Sequence, residues 1–268
     1  MKLAILDLSK NKIGEIKMPI QFEEDIRPDL IQRDVLAIQS HNRQNYAADP
    51  LAGKRSAAKL SRRRKKYRGS YGIGISRVPR KIMTRRGTRM NWVGAFAPGT
   101  VGGRRAHPPK SVKIWDKKIN EKERKKAIRS AITSTMTKEI VMQRGHIIPE
   151  NYPFVIDGKF ETLDKTKKVI GVLNKLGISE ELERTGTKQI RAGKGRSRGR
   201  KYKKMKSLLI VVAKKGKLGK AVSNIPGIDL VEVRNLNTEL LAPGAKPGRL
   251  TLWTNDAVQL IEKENLFR

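Results

Sequence analysis

Leu208-Leu209-Ile210-Val211-Val212-Ala213 is six apolar residues in a row, the longest strongly apolar run in the chain. Its length suits a strand, and its lack of alternation suits a strand covered on both faces, as in a parallel sheet with helices above and below. Leu230–Val233 and Leu250–Trp253 downstream read as further short strands, and Thr254 caps a last helix with Val258 and Ile261 turned inward. Upstream, Phe154–Ile156 reads as a strand ended by Asp157-Gly158. Val169, Leu173 and Leu176, closed by Gly177, read as a helix, and a short helix starts at Ser179. Asn120 with Glu123 three positions on has the form of a capping box. The helix that follows turns Ile128, Ala131, Ile132 and Thr135 inward and Lys122, Lys125, Lys126 and Arg129 outward. At the start of the chain, Lys2–Leu8 and Ile13–Met18 flank a polar turn and predict a hairpin. Pro28 opens a helix with Ile31, Val35 and Ile38 on one stripe, widened by Leu30 and Ala37. The expected fold class is α/β: a layered, mainly parallel sheet with flanking helices, plus a long extended basic loop inserted in the domain.

Charge sets the domain boundaries. Of 60 Lys and Arg, 19 lie between positions 50 and 115 and 15 between 184 and 228, and neither window holds an Asp or Glu. The remaining residues have 26 basic and 25 acidic side chains, the balance of an ordinary soluble domain. The predicted organisation is a discontinuous body, 1–49 and 116–268, with a second basic segment at 184–228, and an extended loop at 50–115. Apolar residues in the loop are sparse and aperiodic, so neither helix nor sheet is expected over most of it. Doubled back at about 33 residues a leg, it reaches at most on the order of 100 Å. There is no cysteine, hence no disulfide or thiolate zinc site. No run is long enough for a transmembrane helix, and Asp7 breaks the only leader-like segment, so an intracellular protein without a membrane partner is expected. A net charge of +35 calls for a polyanion, with nucleic acid ahead of an anionic membrane.

In the loop, Lys54, Arg55, Arg62, Arg63, Arg64, Lys65, Lys66, Arg68, Arg85, Arg86, Arg89, Arg104 and Arg105 are candidate phosphate ligands. Tyr67, Tyr71, Trp92, Phe96 and Trp115 are interleaved with them, and His107 lies on the returning leg. Aromatics stack on unpaired bases and glycines admit close backbone approach, a combination suited to folded RNA. A disordered charged linker has little use for the aromatics. In the second window Arg191, Lys194, Arg196, Arg198, Arg200, Lys201, Lys203 and Lys204 are spaced by Gly193, Gly195 and Gly199, with Tyr202 beside them. Gly193-x-Gly195 lacks both the Gly-Lys-Ser/Thr ending and the dinucleotide spacing, so no mononucleotide site is expected.

Catalysis has no comparable pattern. His41, His107 and His146 are scattered without carboxylates at ligand spacing. Glu23-Glu24-Asp25 reads as a solvated turn and Glu180-Glu181-Glu183 as a negatively charged first helical turn. No catalytic residue, metal or cofactor is assigned. A DNA-packaging protein and a nucleic-acid-processing enzyme remain the alternatives to an RNA-binding structural protein.

Several ordered motifs carry a resemblance. They are Arg43-Gln44-Asn45-Tyr46, Asp49-Pro50-Leu51-Ala52-Gly53, Gly103-Arg104-Arg105-Ala106-His107-Pro108-Pro109, and the helix Asn120-Glu121-Lys122-Glu123-Arg124 through Ala127-Ile128-Arg129-Ser130-Ala131. Gly193 through Tyr202, Asn224-Ile225-Pro226-Gly227, Leu241-Ala242-Pro243-Gly244 and Trp253-Thr254 extend it over most of the chain. Together they resemble the universal family of large-subunit ribosomal protein four, in its archaeal and eukaryotic form. The resemblance implies a non-enzymatic structural constituent of a cytoplasmic ribosome that binds and organises large-subunit ribosomal RNA. It also implies a loop whose tip reaches the wall of the peptide exit tunnel, around Tyr71, Gly72, Gly74, Ile75, Arg77, Val78, Pro79 and Arg80. Ile75 stands where the family usually has a basic residue, and Arg62–Lys66 is a longer basic run than usual. The implied partners are neighbouring large-subunit proteins, including protein twenty-two at the tunnel, and, in passing, the nascent peptide.

Overall fold

Leu209–Val212 is a strand with all four residues buried, and its neighbours explain why. In the computed structural model, which describes residues 1–268, the chain begins with strands β1 (Lys2–Leu6) and β2 (Lys12–Lys17) and helix α1 (Pro28–His41). Strands β3 (Arg80–Arg86) and β4 (Arg89–Gly94) and helices α2 (Glu121–Met136) and α3 (Lys138–Gln143) come next. They are followed by β5 (Val155–Ile156), α4 (Thr166–Lys175), α5 (Ser179–Gly186), β6 (Gln189–Ile190) and β7 (Tyr202–Lys203). The chain closes with β8 (Leu209–Val212), α6 (Leu218–Val222), β9 (Asp229–Glu232), α7 (Thr238–Leu241), β10 (Thr251–Thr254) and α8 (Asn255–Lys263).

Six strands form one sheet in the order β2-β1-β5-β10-β8-β9. The β1–β2 pair is antiparallel and every other neighbour is parallel, so β8 sits inside the sheet between β10 and β9. Successive β8 residues serve opposite faces. Leu208, Ile210 and Val212 pack with Val169 and Leu173 of α4 and with Leu218 and Val222 of α6. Leu209 and Val211 pack with Ile31 and Val35 of α1, Ile128 and Ile132 of α2, and Val258 and Ile261 of α8. Each such aliphatic side chain contributes about 1.5–3 kcal/mol on burial, which is why a run without alternation is stable only between two helical layers. β1 serves both faces as well. Strand alternation turns Leu3 to one cluster and Leu6 to the other, while the register with β2 shifts between Ile5 and Leu6.

Thr254 caps α8 as expected, its hydroxyl accepting from Ala257 N at 3.3 Å. The capping box at Asn120 does not form. Asn120 makes no side-chain cap bond, and Glu123 is drawn instead to Arg33 at 3.3 Å. The short helices α3, α6 and α7 span six residues or fewer, too short to leave a periodic signature.

The chain divides into two compact units, a body of Met1–Asn42 with Asp116–Arg268 and an inserted unit of Arg43–Trp115. Arg43–Asp49, which the charge balance assigns to the body, goes with the insert because Tyr46 stacks on Trp115 at 5.5 Å between ring centres. Most of the insert lacks helix and strand as expected, but one hairpin interrupts it. Arg80–Arg86 and Arg89–Gly94 form an antiparallel hairpin, with Arg86 opposite Arg89 across the Gly87-Thr88 turn. Gly87 has φ +56, which a two-residue hairpin turn requires at its first position. Half-buried Met90 and Trp92 alternate with exposed Arg89, Asn91 and Val93, a period of two that the arginines obscure when apolar residues alone are counted.

Candidate nucleic-acid interface

The inserted unit holds its aromatics against its own cations. Tyr67 has Arg68 and Arg85 at 5.4 and 5.3 Å from its ring centre. Arg77 lies 4.4 Å from Tyr71, Arg80 lies 5.6 Å from Trp92 across the hairpin, and Arg104 lies 5.9 Å from Phe96. Each contact orients a guanidinium that would otherwise sample many rotamers. Tyr67 and Tyr71 remain exposed, so part of each ring is open for stacking.

The two legs of the insert meet in several places. Ala48 N donates to Pro109 O at 3.2 Å, and Gly53, at φ +71, has the Gly103–Arg104 peptide packed where a Cβ would stand. Only glycine satisfies both conditions there. Nearer the ends, Arg43 sits 3.7 Å from the Trp115 ring centre and Lys113 sits 4.2 Å from it, beside the Tyr46–Trp115 stack. Arg105, His107, Lys110, Lys113 and Trp115 line a cleft of about 560 Å³. Neither Arg43 nor Lys113 is among the phosphate ligands expected from sequence; Arg43 is signalled by Tyr46 three residues after it and by the motif the two share.

The remaining loop candidates are distributed over turns and the hairpin. Lys54, Arg62, Arg63, Arg64, Lys65, Lys66, Arg85, Arg86, Arg89, Arg105 and His107 are exposed, whereas Arg68, Trp92 and Arg104 are half-buried. Arg55 is exposed but paired with Asp49. Of the residues assigned to a tip, Tyr71, Gly72, Gly74 and Arg77 are exposed, and Ile75, Val78, Pro79 and Arg80 are half-buried, Arg80 being the first residue of β3.

In the body, Arg191–Lys204 forms a second cationic element. β6 and β7 pair Gln189 with Lys203 and Ile190 with Tyr202, and Arg191 N donates to Lys201 O at 2.8 Å to continue that ladder. Between them the chain turns through Gly193 and Gly199, both at positive φ, with Arg200 N on Gly195 O at 3.1 Å. This local frame leaves Arg191, Lys194, Arg196, Arg198, Arg200 and Lys201 exposed around Tyr202, which has Lys201 at 5.4 Å and Lys188 at 5.9 Å from its ring centre.

Ion pairing separates these cations from the others. The chain makes 14 ion pairs; within 50–115 only Arg55 takes part, and no cation from Lys188 to Lys204 does. The outward stripe of α2 is divided. Arg129 and Lys126 are bound to Glu24 at 2.7 and 3.6 Å, whereas Lys122 and Lys125 are exposed and unpaired. Burial raises the Glu24 carboxyl, but Arg129 and Lys126 outweigh it and hold it below the ordinary value, so Glu24 is an ion-paired anchor while Glu23 and Asp25 remain exposed as expected of a solvated turn.

The acidic turn of α5 also differs from its sequence reading. Glu181 is fully buried and receives His146 Nδ1 at 2.7 Å, Arg184 at 2.6 and 2.7 Å, Ser207 Oγ at 2.8 Å and Ile147 N at 3.1 Å. Burial alone would raise its carboxyl, yet Arg184, His146, Ile147 and Ser207 together hold it down at about 2. This is a structural ion network. No group of three or more His, Asp or Glu is placed to hold a metal ion. No helix is long and apolar enough to cross a membrane.

The arrangement can bind extended polyanions by many separate phosphate contacts, and nothing in it resembles a reaction centre. Comparison with known proteins agrees in kind. The family model described as the ribosomal protein L4/L1 family matches residues 16–264. The large ribosomal subunit protein uL4 of Nanoarchaeum equitans is 50% identical over 268 residues, all of both chains. Those of Archaeoglobus fulgidus and Methanocaldococcus jannaschii are each 43% identical, covering 97% and 98% of this chain and 98% and 99% of their own.

Proposed function

We propose, from the premise that this chain belongs to the ribosomal protein L4/L1 family and is a non-enzymatic structural constituent of the large ribosomal subunit, that its two unpaired cationic regions organise ribosomal RNA. The observation that carries this reading is the absence of carboxylate partners. Nearly every Lys and Arg of the insert, and every one from Lys188 to Lys204, is left without a protein counter-charge while the body pairs many of its own. Phosphates supply that counter-charge, and released counterions supply the free energy. The insert threads RNA as an extended basic loop, and its Tyr71–Arg80 segment lies at the wall of the peptide exit tunnel. Gly72, Gly74 and Pro79 let backbone line a narrow passage there, while Arg77 and Arg80 face phosphate. Neighbouring large-subunit proteins, protein twenty-two among them at the tunnel, and the nascent peptide are its other contacts, in a cytoplasmic ribosome.

A photo-crosslinking residue tests the tunnel assignment. Placed at Ile75 or Val78 in assembled, stalled ribosomes, it should capture the nascent peptide, whereas the same probe at Val258, buried in α8, should not. Labelling of RNA alone at the first two positions would remove the tunnel assignment and leave the RNA role standing.

A further inference from the structure

In the body, a cleft of about 570 Å³ opens between α1 and the segment leading into α2. Ala37, Ile38 and Ile119 give it apolar walls, and Lys118 and Arg124 stand exposed at its rim. Asp34 lines it as well, with the residue only 1% exposed. One carboxylate oxygen, Oδ2, accepts from the Thr238 hydroxyl and so ties α1 to α7. The other, Oδ1, is buried and has no hydrogen-bond partner.

A buried carboxylate oxygen without a donor bears its desolvation cost uncompensated, so native structures rarely leave one. Thr238 already serves Oδ2, and no acidic or histidine cluster completes a metal site around Asp34. The missing partner is therefore an N–H or O–H that arrives with a ligand. Apolar walls suit a flat ring, the buried acceptor suits an amino group at the ring's edge, and two rim cations suit phosphates on either side. These are the parts of a nucleotide with its base turned out of a stack.

We propose that this cleft takes one unpaired nucleobase bearing an exocyclic amino group, its N–H donating to Asp34 Oδ1 while Lys118 and Arg124 hold the flanking phosphates. The site rests on the RNA-binding reading above and adds base preference to it. Cytosine N4, adenine N6 and guanine N2 all supply the donor. Uracil has no amino group, and carbonyl oxygens flank its one N–H, so it sets oxygen against carboxylate.

The test uses the full chain and fluorescently labelled single-stranded oligo(rC) and oligo(rU) of equal length, compared by anisotropy in moderate salt. Oligo(rC) should bind about tenfold tighter, the discrimination expected of one good base contact. Asp34→Asn keeps an acceptor for Thr238 and turns an amide N–H into the cleft, so it should erase or reverse the preference. Asn120→Leu, at a helix start whose side chain makes no cap bond, narrows the mouth without touching Asp34 and should reduce the preference too. Thermal unfolding of both variants verifies that the body is intact. Equal affinity of the wild-type chain for the two oligomers, with salt-sensitive binding retained, overturns the base site and leaves the RNA reading in place. A preference that survives both substitutions overturns it as well. Failure to bind either oligomer overturns the base site, and binding of ribosomal RNA measured alongside decides the RNA reading separately.

Discussion

Glu181 in the body is enclosed by an arginine, a histidine, a serine and a backbone N–H, whereas the cations of the inserted unit share one carboxylate, Asp49. Apolar burial follows the same division. Ala95 is the one buried apolar residue of Arg43–Trp115, and all the rest of the core lies in the body. A segment that buries almost nothing gains little to offset the entropy of ordering its backbone. It can nevertheless be held by a partner whose charge it neutralises. The body thus has a core of its own as its source of order, and the insert has almost none. The second cationic element, Arg191–Lys204, has the insert's chemistry but is closed on itself by the ladder of β6 and β7, between α5 and β8 in sequence.

The strongest way to break this comparison is to remove the insert. Replacing Lys54–Lys110 by a short Gly/Ser linker should lower affinity for ribosomal RNA by about a thousandfold or more, since many phosphate contacts disappear together. The remaining body should still unfold in a single cooperative urea transition. Loss of that transition would show that the insert helps hold the body's core.

A pair of tryptophans sharpens the contrast. Trp253 is fully buried and meets Phe22 edge-on at 5.0 Å between ring centres, while Trp92 is half-buried on the hairpin. Trp253→Ala should cost the body about 3–5 kcal/mol in urea unfolding. Trp92→Ala should change it by no more than about 0.5 kcal/mol. Comparable losses would mean that the insert belongs to the same cooperative unit.

The smallest expected effect is titration of Glu181. Its folded-state value of about 2 lies below the ordinary 4.5, so the stabilisation is fully present above pH 4.5 and is lost as pH falls toward 2. Across that window the wild-type body should lose about 3 kcal/mol through this one group. Glu181→Gln should be less stable at neutral pH and flatter from pH 4.5 to 2. An unchanged acid profile would place the acid sensitivity on other carboxylates. The segment from 50 to 115, which holds no Asp or Glu, should show no carboxylate titration in this range.

Leu208–Ala213 was sufficient to indicate a doubly covered strand, and the apolar stripes after Pro28 and Asn120, the stop at Gly177 and the cap at Thr254 located the main helices. Those signals are local: a period, a cap residue or a glycine within one turn. Charge windows likewise located the cations that the fold leaves without carboxylate partners, because unneutralised charge is a property of composition. Sequence alone could not supply the strand order, which inserts the last strand, β10, between β5 and β8, since parallel pairing joins segments with no local signature of their partners. Nor could it reveal that Glu181 is buried against His146 and Arg184, that Glu24 answers Arg129, or that Asp34 keeps one oxygen unpartnered beside a cleft. Arg129 lies 105 residues from Glu24 and His146 35 residues from Glu181 along the chain, and these long-range pairings were decided by the packing of helices on the sheet.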